Sequence, residues 1–396
     1  MSSKKRVAVF FGGISPEHDI SVISGLQALH AIDTVKYNPF PVYISRDGTW
    51  FVGEQLFDKS CYIPDVAMCK KLTPVRLSLD PKDKGVLFPV HKSVFGSSKH
   101  YTVDIALPVF HGRIGEDGSI QGVFETAGVP YAGMRAMASS IFMDKDVTKS
   151  LLKSINVPHL GCHVVKKPIE GLLLRSREIE QIKSAVKFPV CIKPAHMGSS
   201  IGVSRISNID ELIAVLPRIF TYDNKVILEP FVDNAYELNI SVRNGPEGIV
   251  TSAIEKPLRH SDLLDFKQKY LSENGKNGVK TASSQGMISL TREVNPAIDS
   301  HVEQQIRSWA CQVFDVVDGT GAPRIDFIAD AQSNEVWLNE VNPTPGSLAF
   351  FLWEQAATLT TFTQLLDDLL TEAVMLFDGS STHEDPVPLE ARILKR

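Results

Sequence analysis

Four residues near the C-terminal end carry the densest chemistry in the chain: Arg324, Asp326, Glu340 and Asn342. They lie on two apolar stretches, Ile325 to Ala329 and Val336 to Asn339, around the turn Gln332-Ser333-Asn334, which is the pattern of a strand pair. Strand side chains alternate between faces, so Arg324 shares a face with Asp326, and Glu340 with Asn342. A face that gathers two carboxylates, an amide oxygen and a guanidinium is costly to bury unless something cationic binds there. Hard oxygen ligands of this kind suit Mg²⁺ held together with substrate phosphates. A solvated polar face produces the same alternation, and these residues alone do not separate the two.

A second group surrounds Lys193, which ends the apolar strand FPVCIKP. A lysine there can meet phosphate oxygens, and the loop Gly198 to Gly202 behind it can turn backbone N–H groups toward them. The same loop also reads as a surface turn. Neither a Walker A loop nor a GxGxxG after the first strand is present, which leaves little case for a P-loop or dinucleotide site. A third group is Glu17 and Ser21 at the start of the first helix, with His111, Glu116 and Asp117 in a loop after a strand. Loops at the carboxyl ends of α/β strands are where such sheets bind ligands. Glu17 also fits as a first-turn acid, and His111 as a turn cap. His159 and His163 have the spacing of a helical metal pair, but they follow Pro158 and flank Gly161, so a helix is not expected there. Phe350, Phe351 and Trp353 read as packing or pocket wall rather than a base-stacking platform.

The elements that position these residues follow from periodicity. Val7 to Phe11, a glycine turn and an amphipathic stretch open an α/β unit. Residues 50 to 100 are mixed, with loops and short strands expected. Ile105 to Phe110 is a buried strand, followed by a helix after Ser119 and a short strand near Tyr131. Residues 136 to 156 read as one helix. Strands recur at His163, at Pro189 and at Val226, and the pattern is antiparallel from Glu237. Residues 256 to 284 are polar and rich in Gly, Asn and Ser, which suggests a mobile loop. The last helix is expected over about 360 to 376, with a poorly ordered tail from 379 to 396.

At 396 residues the chain has room for two or three domains. A net charge of -5 argues against a broad nucleic-acid or acidic-membrane surface, which would need a basic excess. No stretch approaches the length of a membrane span, and the first apolar run is too short for a signal peptide. Five scattered cysteines without a CxxC pair predict neither a disulfide framework nor a zinc site, and favour the cytoplasm.

These pieces, in this order, resemble the D-alanine–D-alanine ligase family of the ATP-grasp superfamily over about residues 6 to 375. The matching segments are VAVFFGGISPEHDISVISG, PVFHGRIGEDGSIQGVFETAGVPYAG, MASSIFMDKDVTKSLL, FPVCIKPAHMGSSIGV, APRIDFI and WLNEVNPTPG. The resemblance implies an α/β and α+β architecture: an N-terminal α/β domain over 1–135, a central ATP-grasp subdomain over 136–225, a C-terminal one over 226–378, and a tail. It implies that Lys145 and Lys193 hold ATP phosphates, that the loop at Ser199 and Ser200 closes over them, and that Lys269 also contacts ATP. Glu229 would meet the adenine and Glu237 the ribose. Asp326, Glu340 and Asn342 would bind two Mg²⁺, with Mn²⁺ as a substitute. Glu17 would orient the donor's ammonium group, linked by hydrogen bonds to Ser199 and Tyr270. His111 would lie near the donor carboxylate, and Arg324 would stabilise charge at the reacting carbonyl. In the family the donor carboxylate attacks the γ-phosphate of ATP, and the acceptor amine then displaces phosphate from the acyl phosphate. Partners would be amino acids, in a cytoplasmic homodimer serving cell-wall peptidoglycan synthesis, with no nucleic acid and no membrane.

Two segments depart from the family pattern. Beyond Gly346 a small hydroxyl-rich stretch usually grips the acceptor's carboxylate; here Phe351 stands where a serine is common. Phe266 replaces a frequent aromatic hydroxyl in the lid. The departures predict weak D-alanine binding in the second subsite, unless Ser347 takes the serine's place and Phe351 only packs. Two alternatives therefore stand beside the main reading: a ligase of the same mechanism with another acceptor, and a non-catalytic nucleotide-binding relative.

Overall fold

A computed structural model describes residues 4–62, 72–91, 100–258 and 292–381. Three sheets carry the described residues. The first has seven strands: β1 (Lys5–Gly12), β2 (Tyr37–Ile44), β3 (Trp50–Val52), β4 (Thr73–Leu77), β5 (Val86–Pro89), β6 (Tyr101–Thr102) and β7 (Ile105–Pro108), in the order β6-β5-β4-β3-β2-β1-β7. β1 pairs in parallel with β2 and β7, and the remaining pairs are antiparallel. β1 reads KRVAVFFG because both its faces are covered. Val7, Val9 and Phe11 pack toward Leu26 and Leu29 of helix His18–Ala31, while Ala8 and Phe10 pack toward Ile120 and Phe124 of helix Ser119–Thr126. β1 stops at Gly12, whose φ of +92° and 2.2 Å from a built Cβ to the Ile44 carbonyl oxygen exclude a side chain.

The second sheet has four antiparallel strands, β8 (His163–Lys166), β9 (Val190–Pro194), β10 (Ser204–Ile206) and β11 (Lys225–Pro230), ordered β10-β9-β11-β8. The third has five antiparallel strands, β12 (Ala235–Gly245), β13 (Gly248–Pro257), β14 (Arg292–Val294), β15 (Arg324–Asp330) and β16 (Val336–Asn342), ordered β14-β13-β12-β15-β16. Its apolar face, with Leu238, Ile240, Phe327 and Leu338, packs on Ile306, Ala310 and Val313 of helix Ser300–Asp315. That leaves its polar face free to build a site.

Several expectations change. The stretch 136–156 is two helices, Ala136–Met143 and Lys145–Ser154. Asp144 sits between them in extended backbone, and its carboxylate accepts from the amides of Asp146 and Val147. The N-cap restarts the helix and turns Lys145 toward the second sheet. A boundary at 225/226 would cut β11 from β8 and β9, so this sheet runs to Pro230. The final helix covers Phe362–Ser381, so residues 379 to 381 are not tail, and its Leu365, Leu366 and Leu369 pack into the first sheet's core rather than into the C-terminal unit. Cys61 is disulfide-bonded, whereas Cys162, Cys191 and Cys311 are free. No helix among the described residues is long and apolar enough to cross a membrane.

Candidate active site

A cleft of about 830 Å³ separates the second sheet from the third; its walls include Lys145, Lys193, Glu229, Glu237, Asp326 and Glu340. Asp326 stands directly opposite Glu340, and Arg324 opposite Asn342. A β-bulge makes this possible. Phe327 pairs with Leu338 while Asp326 pairs with Glu340, so Asn339 is the extra residue. Leu338 and Val341 both reach the core, and Asn339 and Glu340 both line the cleft.

The Arg324 guanidinium donates to both Asp326 oxygens, Nε at 2.6 Å and Nη2 at 2.7 Å, and the Asn342 amide donates to Asp326 Oδ2 at 2.9 Å. Burial, with Glu340 and Glu237 nearby, pushes the Asp326 carboxyl above its ordinary value in spite of Arg324. The polar row continues across the sheet, because Asn239 lies opposite Asp326 and Glu255 opposite Asn239. Asn239 donates to Glu255 Oε1 at 3.0 Å, and its own buried Oδ1 has no hydrogen-bond partner among the described residues. No three His, Cys, Asp or Glu side chains cluster into a closed metal cage among the described residues. Two carboxylates and an amide on an open face fit a hard cation that takes its other ligands from phosphate oxygens. Asp326 Oδ1 also keeps a second lone pair beyond the one Arg324 uses, whereas Oδ2 already accepts from both Arg324 and Asn342.

At the opposite wall Glu229 is buried between two ammonium groups, Lys149 Nζ at 2.5 Å and Lys193 Nζ at 2.6 Å. Burial opposes the Glu229 charge, but the two lysines outweigh it and hold the carboxyl below its ordinary value. Burial likewise opposes the charge on Lys193, yet Glu229 raises it above the ordinary lysine range. Lys193 Nζ also donates to Asn339 Oδ1 at 2.6 Å, which bridges the two sheets. Lys145 Nζ donates to the Met197 carbonyl at 2.8 Å and lies 3.4 Å from Glu340.

The first domain supplies Glu17, whose carboxylate accepts from the Ser199 hydroxyl. It is packed between two glycines: a Cβ on Gly112 would come within 2.5 Å of Glu17 Oε2, and one on Gly198 within 2.9 Å. Ser199 and Ser200 take left-handed backbone, with φ of +51° and +58°. His111 is buried: Nδ1–H donates to the Thr344 carbonyl at 2.8 Å, and Nε2 accepts from Ser24 Oγ at 3.0 Å. Burial lowers its pKa to about 4, so the ring is neutral. Glu116 accepts from the amides of Gly112 and Thr344 and, through burial and the Glu17 charge, is pushed up to about 8.

The segment around Gly346 is thereby tied to the N-terminal sheet and its helices. Beyond Gly346, Ser347, Leu348 and Ala349 all adopt positive φ. The Ser347 amide donates to Ser24 Oγ at 3.0 Å and its hydroxyl to Gln27 Oε1 at 2.5 Å. Phe351 is half-buried, with the Arg292 guanidinium 4.1 Å from its ring centroid. Neither Ser347 nor Phe351 lines the cleft.

The sequence-derived residues Lys145, Lys193, Ser200, Glu229, Glu237, Asp326 and Glu340 all line one cleft. Arg324 and Asn342 adjoin it through Asp326, and Glu17 adjoins it through Ser199. Phe266, Lys269 and Tyr270 lie outside the described residues; only 256 and 257 of the expected loop belong to β13. Lys149, Asn239, Asn339, Ser24 and Gln27 were not anticipated. A signal existed for Lys149: it stands four residues after Lys145 on a helix that buries Lys145, Thr148, Lys149 and Leu152 while Val147 is 41% exposed. A buried face carrying lysines instead of the available valine indicates anions opposite.

Comparison with known proteins agrees with this geometry. The family model described as D-ala D-ala ligase N-terminus matches residues 6–134, and the one described as D-ala D-ala ligase C-terminus matches 151–371. The D-alanine–D-alanine ligase of Thermosipho africanus is 34% identical over 373 residues, covering 94% of each chain. That of Corynebacterium aurimucosum is 32% identical, covering 93% of this chain and 97% of its own. Among solved structures, the VanG D-Ala:D-Ser ligase of Enterococcus faecalis superposes with a TM-score of 0.74 at 26% identity, covering 94% of this chain and 100% of its own. The D-alanine–D-alanine ligase of Coxiella burnetii, at 22% identity and a TM-score of 0.75 over 96% of this chain and 97% of its own, shares the fold. With both halves matched and relatives aligned nearly end to end, the chain belongs to the D-alanine–D-alanine ligase family, a family of ATP-dependent enzymes.

Proposed function

We propose that this protein forms a dipeptide from two amino acids at the expense of ATP, with D-alanine as donor. The observation that carries the reading is one cleft with Lys145 and Lys193 on one wall and Asp326 facing Glu340 on the other. A carboxylate is a poor electrophile and must be activated. Its oxygen attacks the γ-phosphorus, ADP leaves, and the acceptor amine then attacks the acyl carbon and expels phosphate. Lys145 and Lys193 neutralise the phosphate chain, while Glu229 and Glu237 face the nucleoside end. Glu17 accepts the donor's ammonium group, with the Ser199 hydroxyl holding its carboxylate. Arg324 meets charge at the reacting carbonyl once it leaves Asp326. Neutral His111 holds the segment after Thr344 against the first domain. Divalent cations at Asp326, Glu340 and Asn342, Mg²⁺ or Mn²⁺, would supply further neutralisation of the phosphoryl oxygens. The expected state, a cytoplasmic homodimer, rests on the resemblance alone. The test is ATP-dependent phosphate release with D-alanine and mass analysis of the product. ATP binding without turnover on any amino-acid pair would favour the non-catalytic alternative.

A second reading concerns the acceptor. The Ser347 hydroxyl is given to Gln27, and Phe351, at the position where a serine is common in the family, carries Arg292. Both favour an acceptor other than D-alanine. Efficient D-alanyl-D-alanine synthesis at ordinary substrate levels would remove this reading.

A further inference from the structure

His196 lies between the phosphate-facing lysine and the loop behind it, and the proposed mechanism does not use it. Its Nδ1 is 2.9 Å from Asp223 Oδ1 and its Nε2 is 3.2 Å from Asp144 Oδ2. Ionised carboxylates only accept, so a ring that satisfies both must carry a proton on each nitrogen. The backbone amide of His196 donates to the other Asp223 oxygen at 2.8 Å, so this one residue is tied at three points. Asp144 is the N-cap of helix Lys145–Ser154, and its Oδ2 also receives Lys225 Nζ at 2.5 Å, with Asp146 Oδ2 3.3 Å from the same ammonium. Asp144 and Asp223 are the charged groups that touch the ring, and Lys225 and Asp146 join the cluster behind Asp144. The two carboxylate hydrogen bonds outweigh burial and raise the imidazole to about 9.

The residues on either side of His196 grip Lys145. The Lys145 amide donates to the Ala195 carbonyl at 3.1 Å, and its Nζ donates to the Met197 carbonyl at 2.8 Å. Ala195 in turn donates to the Lys225 carbonyl at 2.9 Å. Lys145 and the loop that runs on to Ser199 and Ser200 are thus one cross-linked unit, and His196 is the link that joins the loop to the helix cap.

We propose that His196, as an imidazolium bridging Asp144 and Asp223, is a positioning residue that locks the loop 195–200 to the Lys145 helix and so keeps both phosphate-facing elements in register. The inference rests on the reading of Lys145 as a phosphate ligand. A charge-assisted clasp of this kind sets how well the nucleotide is held, while the loop meets the donor pocket only at its far end, where Gly198 packs on Glu17 and the Ser199 hydroxyl donates to it.

The experiment compares wild type with His196→Ala and His196→Gln. It reads the KM for ATP, the KM for D-alanine, the melting temperature, and ATP affinity by calorimetry without amino acids. Removing the clasp in His196→Ala should raise the KM for ATP about tenfold and weaken calorimetric ATP binding in step, with a smaller rise in the KM for D-alanine, which the loop reaches only through Gly198 and Ser199. Glutamine is neutral and reaches one carboxylate, so His196→Gln should fall between. ATP affinity within about twofold of wild type in both variants overturns the clasp, as does a KM for D-alanine that rises more than the KM for ATP. If His196→Ala does not fold, His196→Gln decides by the same criteria. Turnover of ATP with D-alanine by the wild type, together with equal ATP affinity in wild type and both variants, breaks the clasp alone. Wild-type protein that neither binds nor turns over ATP overturns the phosphate reading, and the clasp with it.

Discussion

Glu229 and Asp326 are both buried carboxylates on facing walls of one cleft, and their environments push them in opposite directions. Glu229 touches two ammonium groups and is held below its ordinary value. Asp326 has a guanidinium on both oxygens and is still pushed above it, because burial is joined by Glu340 and Glu237. One wall is balanced internally by two lysines around one acid. The other holds more acid than its own arginine can neutralise. A buried excess of one sign is expensive unless a ligand completes it. The cleft therefore suits a molecule that brings cations to the Asp326 wall and anions to the lysines, as the metal-bound nucleotide of the proposed function would.

The strongest test of this contrast removes the missing charge. Chelation of divalent ions, or Asp326→Asn, should lower ATP-dependent phosphate release by about a thousandfold, the loss of several kcal/mol of transition-state stabilisation. Full activity in chelator would break the contrast outright.

The balanced wall should respond through stability. Glu229→Gln leaves Lys149 and Lys193 buried without their shared acid and should cost about 3–5 kcal/mol in denaturant unfolding. Lys193→Ala leaves Glu229 its contact with Lys149, so the fold should survive while the KM for ATP rises. An unchanged phosphate-release rate in that variant would remove Lys193 from the site.

The first-domain wall tests a third environment. Buried His111 stays neutral down to about pH 4, while the unfolded chain takes up the proton near 6.5. Its folded pKa is depressed, so its contribution is present above the unfolded value and declines as pH falls toward 4. The stability advantage of wild type over His111→Asn should therefore shrink by roughly 3 kcal/mol between pH 7 and 4. A pH-independent difference would mean that the ring is not held neutral.

The smallest effect is expected at the acceptor segment. Phe351→Ser removes a cation–π contact of about 1 kcal/mol with Arg292 and adds a hydroxyl. Competition assays between acceptors should then shift toward small amino acids. Unaltered selectivity would mean that Phe351 only packs.

The charged groups themselves were legible along the chain, because buried-strand patterns such as FPVCIKP and the IDFIAD–VWLNEVN pair carry acids and lysines that a plain core would not tolerate. Less legible were residues whose purpose depends on a distant partner. Asp144 interrupts a helical run and becomes an N-cap only where Lys225 and His196 come to meet it. Ser24 and Gln27 look like ordinary helix positions until the turn at Ser347 lands on them, more than 300 residues later in the chain.

By itself the sequence determined the main strands, the glycine turns and which charged side chains interrupt apolar strands, since period and polarity are local properties. It did not determine that the acids converge. Val336, Leu338, Glu340 and Asn342 have the same parity, so unbroken alternation that buries Leu338 would bury Glu340 as well. The bulge at Asn339 resets the phase, because Leu338 opposite Phe327 and Val341 opposite Ile325 must both reach the core. That register is set by packing between strands and helices, and only the tertiary structure holds it.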